Sequence, residues 1–127
     1  MSTEEHETAS AEKGASFQDA LAHVAKKLSE RSFTKEGQII FHLSGQEGAT
    51  FCLDCAPGKT AVSEGFAGRA QRVPLVEVMG DASVIRAIIE DKKDGLKQFR
   101  EGNLRIRGDL RYFSDLILEL GIIKSPL

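Results

Sequence analysis

The chain is short of nearly everything that marks a membrane protein, a nucleic-acid binder or a catalyst. No apolar run in its 127 residues approaches the ~18 that a membrane-spanning helix needs. No charged-then-apolar secretory signal opens it. These absences predict a soluble, cytoplasmic protein. The end Ser125-Pro126-Leu127 lacks the basic residue of a peroxisomal Ser-Lys-Leu address and is not read as one. The net charge is only −2, and Glu4, Glu5, Glu7 and Glu12 against Lys13 supply a local −3 in the first fourteen residues. The rest is therefore near neutral, without the basic excess that nucleic acid demands.

Reactive side chains are equally scarce. There are two cysteines, and Cys52-Leu53-Asp54-Cys55 has the spacing of redox and zinc sites. The segment alternates like a strand, however, and residues three apart on a strand face opposite ways, so the thiols cannot share a metal or close a relaxed disulfide. The three histidines, His6, His23 and His42, have no nucleophile or second ligand at motif spacing. Gly65-Phe66-Ala67-Gly68-Arg69 has the look of a phosphate loop, but it leads into a strand where such loops precede a helix. No metal, cofactor or catalytic activity is expected.

What the chain has is apolar periodicity. Residues 1–15 are polar and aperiodic and read as a tail, leaving 16–127 as one domain. Ser16 caps a helix with Phe17, Leu21, Val24 and Leu28 as its stripe, ending near Arg31 or Ser32. Strands follow over Gln38–Leu43, Ala49–Cys55 and Lys59–Glu64, joined by a Ser44–Gly48 hairpin loop and a Pro57-Gly58 turn. An aperiodic loop from Gly65 to Gln71 leads to a strand over Arg72–Met79. Asp81 then caps a helix striped with Val84, Ile85, Ile88 and Ile89.

After a short helical turn ending at Gly102, Leu104 and Ile106 alternate with Asn103, Arg105 and Arg107 in a last strand. Asp109 caps a last helix, where Leu110, Phe113, Leu116, Ile117 and Leu120 share one face, and Gly121 stands where a left-handed end is wanted. Hairpins first and helices later give an α+β fold, a mainly antiparallel sheet covered by helices. The basic residues between Lys92 and Arg111 alternate with acidic ones, which reads as a solvated face or as an attraction for anionic head groups. Periodicity alone does not say whether the facing apolar layers meet or enclose a cavity.

The stretches Val76-Glu77-Val78-Met79-Gly80-Asp81 and Phe99-Arg100-Glu101-Gly102-Asn103-Leu104-Arg105-Ile106-Arg107-Gly108-Asp109, with an apolar helix between them, resemble the sterol carrier protein 2 family of lipid-binding domains. The similarity covers about residues 16–121. It implies a five-stranded sheet with helices packed on one face and a hydrophobic tunnel between them, binding a sterol, fatty acid or fatty acyl-CoA without catalysis. Mapped onto this chain, the tunnel would be lined from the sheet by Phe41, Phe51, Leu53, Val76 and Val78. Ile85, Ile88, Ile89, Phe99, Phe113, Leu116, Ile117 and Leu120 would close it from the helices. Tyr112 and Phe113 stand where small or aliphatic residues are common in the family, which would narrow or close the tunnel. The resemblance also admits a non-catalytic accessory module, serving a partner enzyme as in lipid-quinone pathways.

Overall fold

The computed structural model describes residues 17–31, 33, 35–45, 48–56, 59–65 and 74–126. The expected tail, the Ser16 cap, the Pro57-Gly58 turn, the body of the loop after Gly65 and the first residues of the expected fourth strand lie outside these.

The first helix, α1, covers residues 17–30. Its stripe is buried as the 3.6-residue period requires, with Phe17, Leu21, Val24 and Leu28 all shielded. Strands β1 (Gly37–Ser44), β2 (Thr50–Ala56) and β3 (Lys59–Glu64) follow as antiparallel neighbours. Then come β4 (Leu75–Asp81), α2 (Ala82–Ile89), α3 (Gly95–Arg100), β5 (Leu104–Gly108) and α4 (Leu110–Glu119). The sheet order is β3-β2-β1-β4-β5. Three of its four pairings are antiparallel, and the pairing of the central strand β1 with β4 is parallel. The sheet is thus mainly antiparallel, as the hairpins predict, and strictly mixed.

Register explains which side chains meet the helices. Ile39 lies opposite Leu53 on one side and Val76 on the other, while Phe41 lies opposite Phe51 and Val78. Val78 in turn faces Ile106, and Gly80 faces Leu104. These side chains rise on one sheet face because alternate residues of a strand share a side. Phe17 of α1 stacks on Phe51 with ring centroids 5.3 Å apart and meets Phe41 edge-on at 5.9 Å, which seats α1 over β1 and β2.

Cys52 pairs with Ile40 and Cys55 with Gly37, so the thiols do lie on opposite faces; both are buried and in no disulfide. The second face is also sealed at its centre, where Ile40, Cys52 and Gln38 are buried. Gln38 donates from Nε2 to Asp54 Oδ1 at 2.7 Å.

The fourth strand runs two residues past its expected end. Gly80 and Asp81 still pair with Leu43 and Ser44, so Asp81 both ends β4 and caps α2. Before β4, Pro74 has no amide to give, but its carbonyl accepts from Gln38 N at 3.0 Å. At the far end of β5, Gly108 has φ +111°, and a Cβ there would lie 2.2 Å from the Leu75 carbonyl oxygen, so the strand-to-helix corner admits only glycine.

Candidate functional site

Polar capping holds the helical layer over the sheet. Asp81 accepts from the amide and the hydroxyl of Ser83, and these bonds keep its carboxyl below the usual carboxylate range. Asp94 accepts from Leu96 N at 3.0 Å and Lys97 N at 3.3 Å, and Asp109 from Tyr112 N at 2.9 Å. The other ends of α2, α3 and α4 share one device. The residue past the cap is left-handed (Asp91 at φ 62°, Gly102 at 79°, Gly121 at 78°), and the amides that follow bond back to the final turn. At α4 the Ile122 amide reaches Ile117 O at 2.9 Å, which brings Ile122 and Ile117 together, as this motif usually does.

Between the layers lies a cavity of about 190 Å³. Every residue of its wall is apolar. The sheet contributes Ile39, Phe41, Leu53, Val78, Leu104 and Ile106. From α1 come Leu21 and Val24, from α2 Ile85, Ile88 and Ile89, and from α3 Gly95, Leu96 and Phe99. Leu110, Phe113, Leu116, Ile117, Leu120, Ile122 and Ile123 close it from α4 and the segment beyond. Phe99 and Leu110, the two exposed large hydrophobic residues among those described, stand in this wall and reach solvent. No wall residue has a side chain that can donate a proton, accept one or attack a carbonyl.

Of the thirteen lining residues expected from the resemblance, the structure gathers eleven around this space. Phe51 and Val76 are not among them. Phe51 is taken up by its stack on Phe17, and Val76 is fully buried in the row between Ile39 and Gly108. The expected narrowing by Tyr112 does not occur either. Its ring occupies the space a Cβ of Gly37 would fill, and its hydroxyl donates to Lys35 O at 3.0 Å, away from the cavity. Burial pushes the Tyr112 phenol and the neighbouring Cys55 thiol up, so both stay neutral.

Ile39, Leu21 and Val24 were legible as parts of buried stripes but not as cavity wall. Ile122 and Ile123 carry a weaker signal, two isoleucines directly after the helix-ending Gly121. Leu110 lies on the apolar face predicted for α4, yet it is about half exposed at the cavity's edge.

Two grooves share wall residues with the cavity. One, between α1 and the end of α2, touches it through Val24, Ile89, Leu120 and Ile122. The other, between the α2–α3 turn and residues 122–126, touches it through Ile88, Leu96, Phe99, Ile122 and Ile123. On the opposite sheet face Glu77 accepts from Arg107 (2.7 and 2.9 Å) and meets His42 at 3.0 Å; these bonds, Arg107 first, hold its carboxyl below the usual range.

By sequence, no family model matches the chain, and no curated protein does. Solved structures match it by shape. A UbiJ-SCP2 ubiquinone synthesis protein aligns over 80% of this chain and 92% of its own, at 17% identity and a TM-score of 0.58. The apo form of sterol carrier protein 2 from Yarrowia lipolytica covers 87% and 86%, at 19% identity and a TM-score of 0.58. Palmitated SCP2L2 from Aedes aegypti covers 82% and 95%, at 13% identity and a TM-score of 0.56. At these identities what is shared is the arrangement of elements, and the mixed sheet under its layer of helices is the sterol carrier protein 2-like α+β fold.

Proposed function

We propose that this chain is a non-catalytic lipid-binding protein of the cytoplasm that holds an apolar chain between sheet and helices and releases it to membranes or to a partner enzyme. The observation that carries this reading is the wholly apolar cavity of about 190 Å³ with Phe99 and Leu110 at its edge. A void of that size left empty costs on the order of 5 kcal/mol at ~24 cal/mol per Å³. Water does not relieve that cost, because a site without polar partners stays dry. An acyl chain or a small ring system does, at about 0.8 kcal/mol per buried methylene.

Exchange with a membrane has a natural face. Phe99 and Leu110 are exposed beside Lys97, Arg100 and Arg111, an apolar edge with cationic neighbours suited to an anionic bilayer surface. The solved neighbours named for sterol carriage and palmitate are consistent with a lipid partner in general.

A second reading has its own support. The cavity is small for a long lipid, and one neighbour of the same fold is a ubiquinone synthesis protein. On that reading the chain is an accessory module whose interior takes no exchangeable ligand. Native mass spectrometry of protein purified without added lipid separates the two. A retained species of acyl-chain mass, or uptake of a fluorescent fatty acid at one per chain, supports the carrier. A ligand-free mass together with no uptake of fatty acid, acyl-CoA or sterol overturns it.

A further inference from the structure

We infer that the groove between the α2–α3 turn and residues 122–126 is a head-group subsite for an anionic, single-chain amphiphile whose tail lies in the cavity. The inference rests on the lipid-binding reading and deepens it, since the cavity alone does not distinguish a charged lipid from a neutral one.

An apolar cavity of ~150 Å³ accommodates benzene, six carbons, so about 190 Å³ accommodates seven or eight. A longer chain must emerge, and its polar end with it. Besides the exposed edge at Leu110, the two open grooves that share the cavity's wall offer exits, and their charges differ in sign. The groove at α1 carries Asp19, Glu90 and Asp91 against Lys27, whose ammonium already donates to Leu120 O at 3.0 Å. The groove at the α2–α3 turn carries Lys92, Lys93, Arg100 and Lys124 against Asp91 and Asp94.

The available charge differs further. Asp94 is committed to the amides of α3, so its lone pairs are partly spent. Lys92 is paired with Glu90 at 3.2 Å, but Arg100 and Lys124 make no ion pair among the described residues. An anion leaving the cavity past Leu96 and Phe99 therefore meets two unengaged cations, whereas one leaving by α1 meets Asp19 and Asp91, with Glu90 there already paired with Arg86 and Lys92. Arg100 follows Phe99 directly in the chain, so the residue at the exit is adjacent to a residue that would hold the head group. The shared chemistry is a carboxylate or phosphate on a chain of about ten carbons.

Calorimetric titration tests this with four probes of equal tail: decanoate, decyl phosphate, methyl decanoate and decyltrimethylammonium. In about 20 mM salt the two anions should bind roughly tenfold more tightly than the methyl ester, the tighter one identifying carboxylate or phosphate, and the cation more weakly. In about 500 mM salt that advantage should shrink to less than about twofold. Arg100→Glu with Lys124→Glu should abolish it while leaving methyl decanoate affinity and the unfolding midpoint unchanged. Asp19→Lys in the other groove should leave the anion preference over the ester intact. Equal binding of anion and ester, or a preference that survives Arg100→Glu with Lys124→Glu, overturns the subsite and leaves the cavity reading standing. Binding of none of the four overturns the subsite, and with a ligand-free native mass and no uptake of acyl-CoA or sterol it overturns the cavity reading as well.

Discussion

Leu116→Trp puts the cavity to a direct test. Leu116 lies mid-helix in α4, 2% exposed, with its side chain in the cavity wall. Tryptophan carries six more side-chain heavy atoms than leucine, the count of benzene, and benzene fits a cavity of ~150 Å³. The space of about 190 Å³ can therefore take the added ring and would keep roughly 40 Å³, too little for an acyl chain. Fluorescent fatty-acid titration should then show binding lost. Thermal unfolding should show a midpoint within a few degrees of wild type or above it, since the new ring gains contacts that the void lacked. In a close-packed interior the same change costs about 1–3 kcal/mol, and for a domain of this size each kcal/mol lowers the midpoint by roughly 4 °C. Leu116→Ala is the control: it enlarges the space, costs about 2–5 kcal/mol and retains binding. A drop of about 8 °C or more for Leu116→Trp, in a background where wild type binds no fatty acid, acyl-CoA or sterol, would refute the reasoning. So would unchanged fatty-acid affinity in the variant.

Asp91→Gly should stabilise the fold by about 0.5–1 kcal/mol, because Asp91 pays the ~1–2 kcal/mol cost of a left-handed residue at φ 62° and glycine does not, less the added freedom of the unfolded chain. Urea unfolding should show the higher midpoint at an unchanged slope, and an unaltered midpoint would mean that the Asp91 side chain compensates. Glu77→Gln should lower stability at neutral pH but not in acid. The folded carboxyl titrates below its ordinary value, chiefly through Arg107 and then His42, so its contribution is complete above the unfolded value of ~4.3 and is lost as pH falls through the lower folded one. Urea midpoints of the two proteins from about pH 3 to about pH 7 should therefore converge at the acid end, and a constant gap would exclude the ionic account.

The elements were legible because their signals are local. The stripe of α1, the Asp81 and Asp109 caps, the Gly121 end and the Lys59–Glu64 strand can each be read from a handful of neighbouring residues, and each stands where the spacing puts it. The parallel pairing of β1 with β4 is not local. It depends on where the chain returns after β3, which no period encodes. The wall of the cavity was legible only as a class of residue. Phe51 and Phe41 alternate identically, yet Phe51 is withdrawn by Phe17 and Phe41 is not excluded from the space despite touching the same ring. Tyr112 shows the same limit, because its place is decided by the missing side chain of Gly37, seventy-five positions away. A hydrophobic face is written in one segment, whereas a void is a property of the distance between two.

That distance is set here by polar parts. Ordinarily an apolar layer approaches its partner until the atoms touch, since an unfilled space forfeits dispersion contacts on every side. Over this sheet α2 and α3 bury little: α2 has Ala82 and Ile85 as buried residues, and α3 has none. Their positions follow instead from Asp81 and Asp94 at one end and from the left-handed Asp91 and Gly102 at the other. At the opposite side Tyr112 braces α4 against Gly37 and the Lys35 carbonyl. Capping bonds fix where a helix begins and ends without regard to how well its underside is packed, so a layer held in this way can span a gap. The same economy of burial makes α3, with Phe99 half-exposed on it, the element that can shift at least cost in lost apolar contact, and it lies over the exit to the cationic groove. On the lipid-binding reading, a sheet and two well-buried helices form the rigid part of the container, and two short capped helices form the part expected to open.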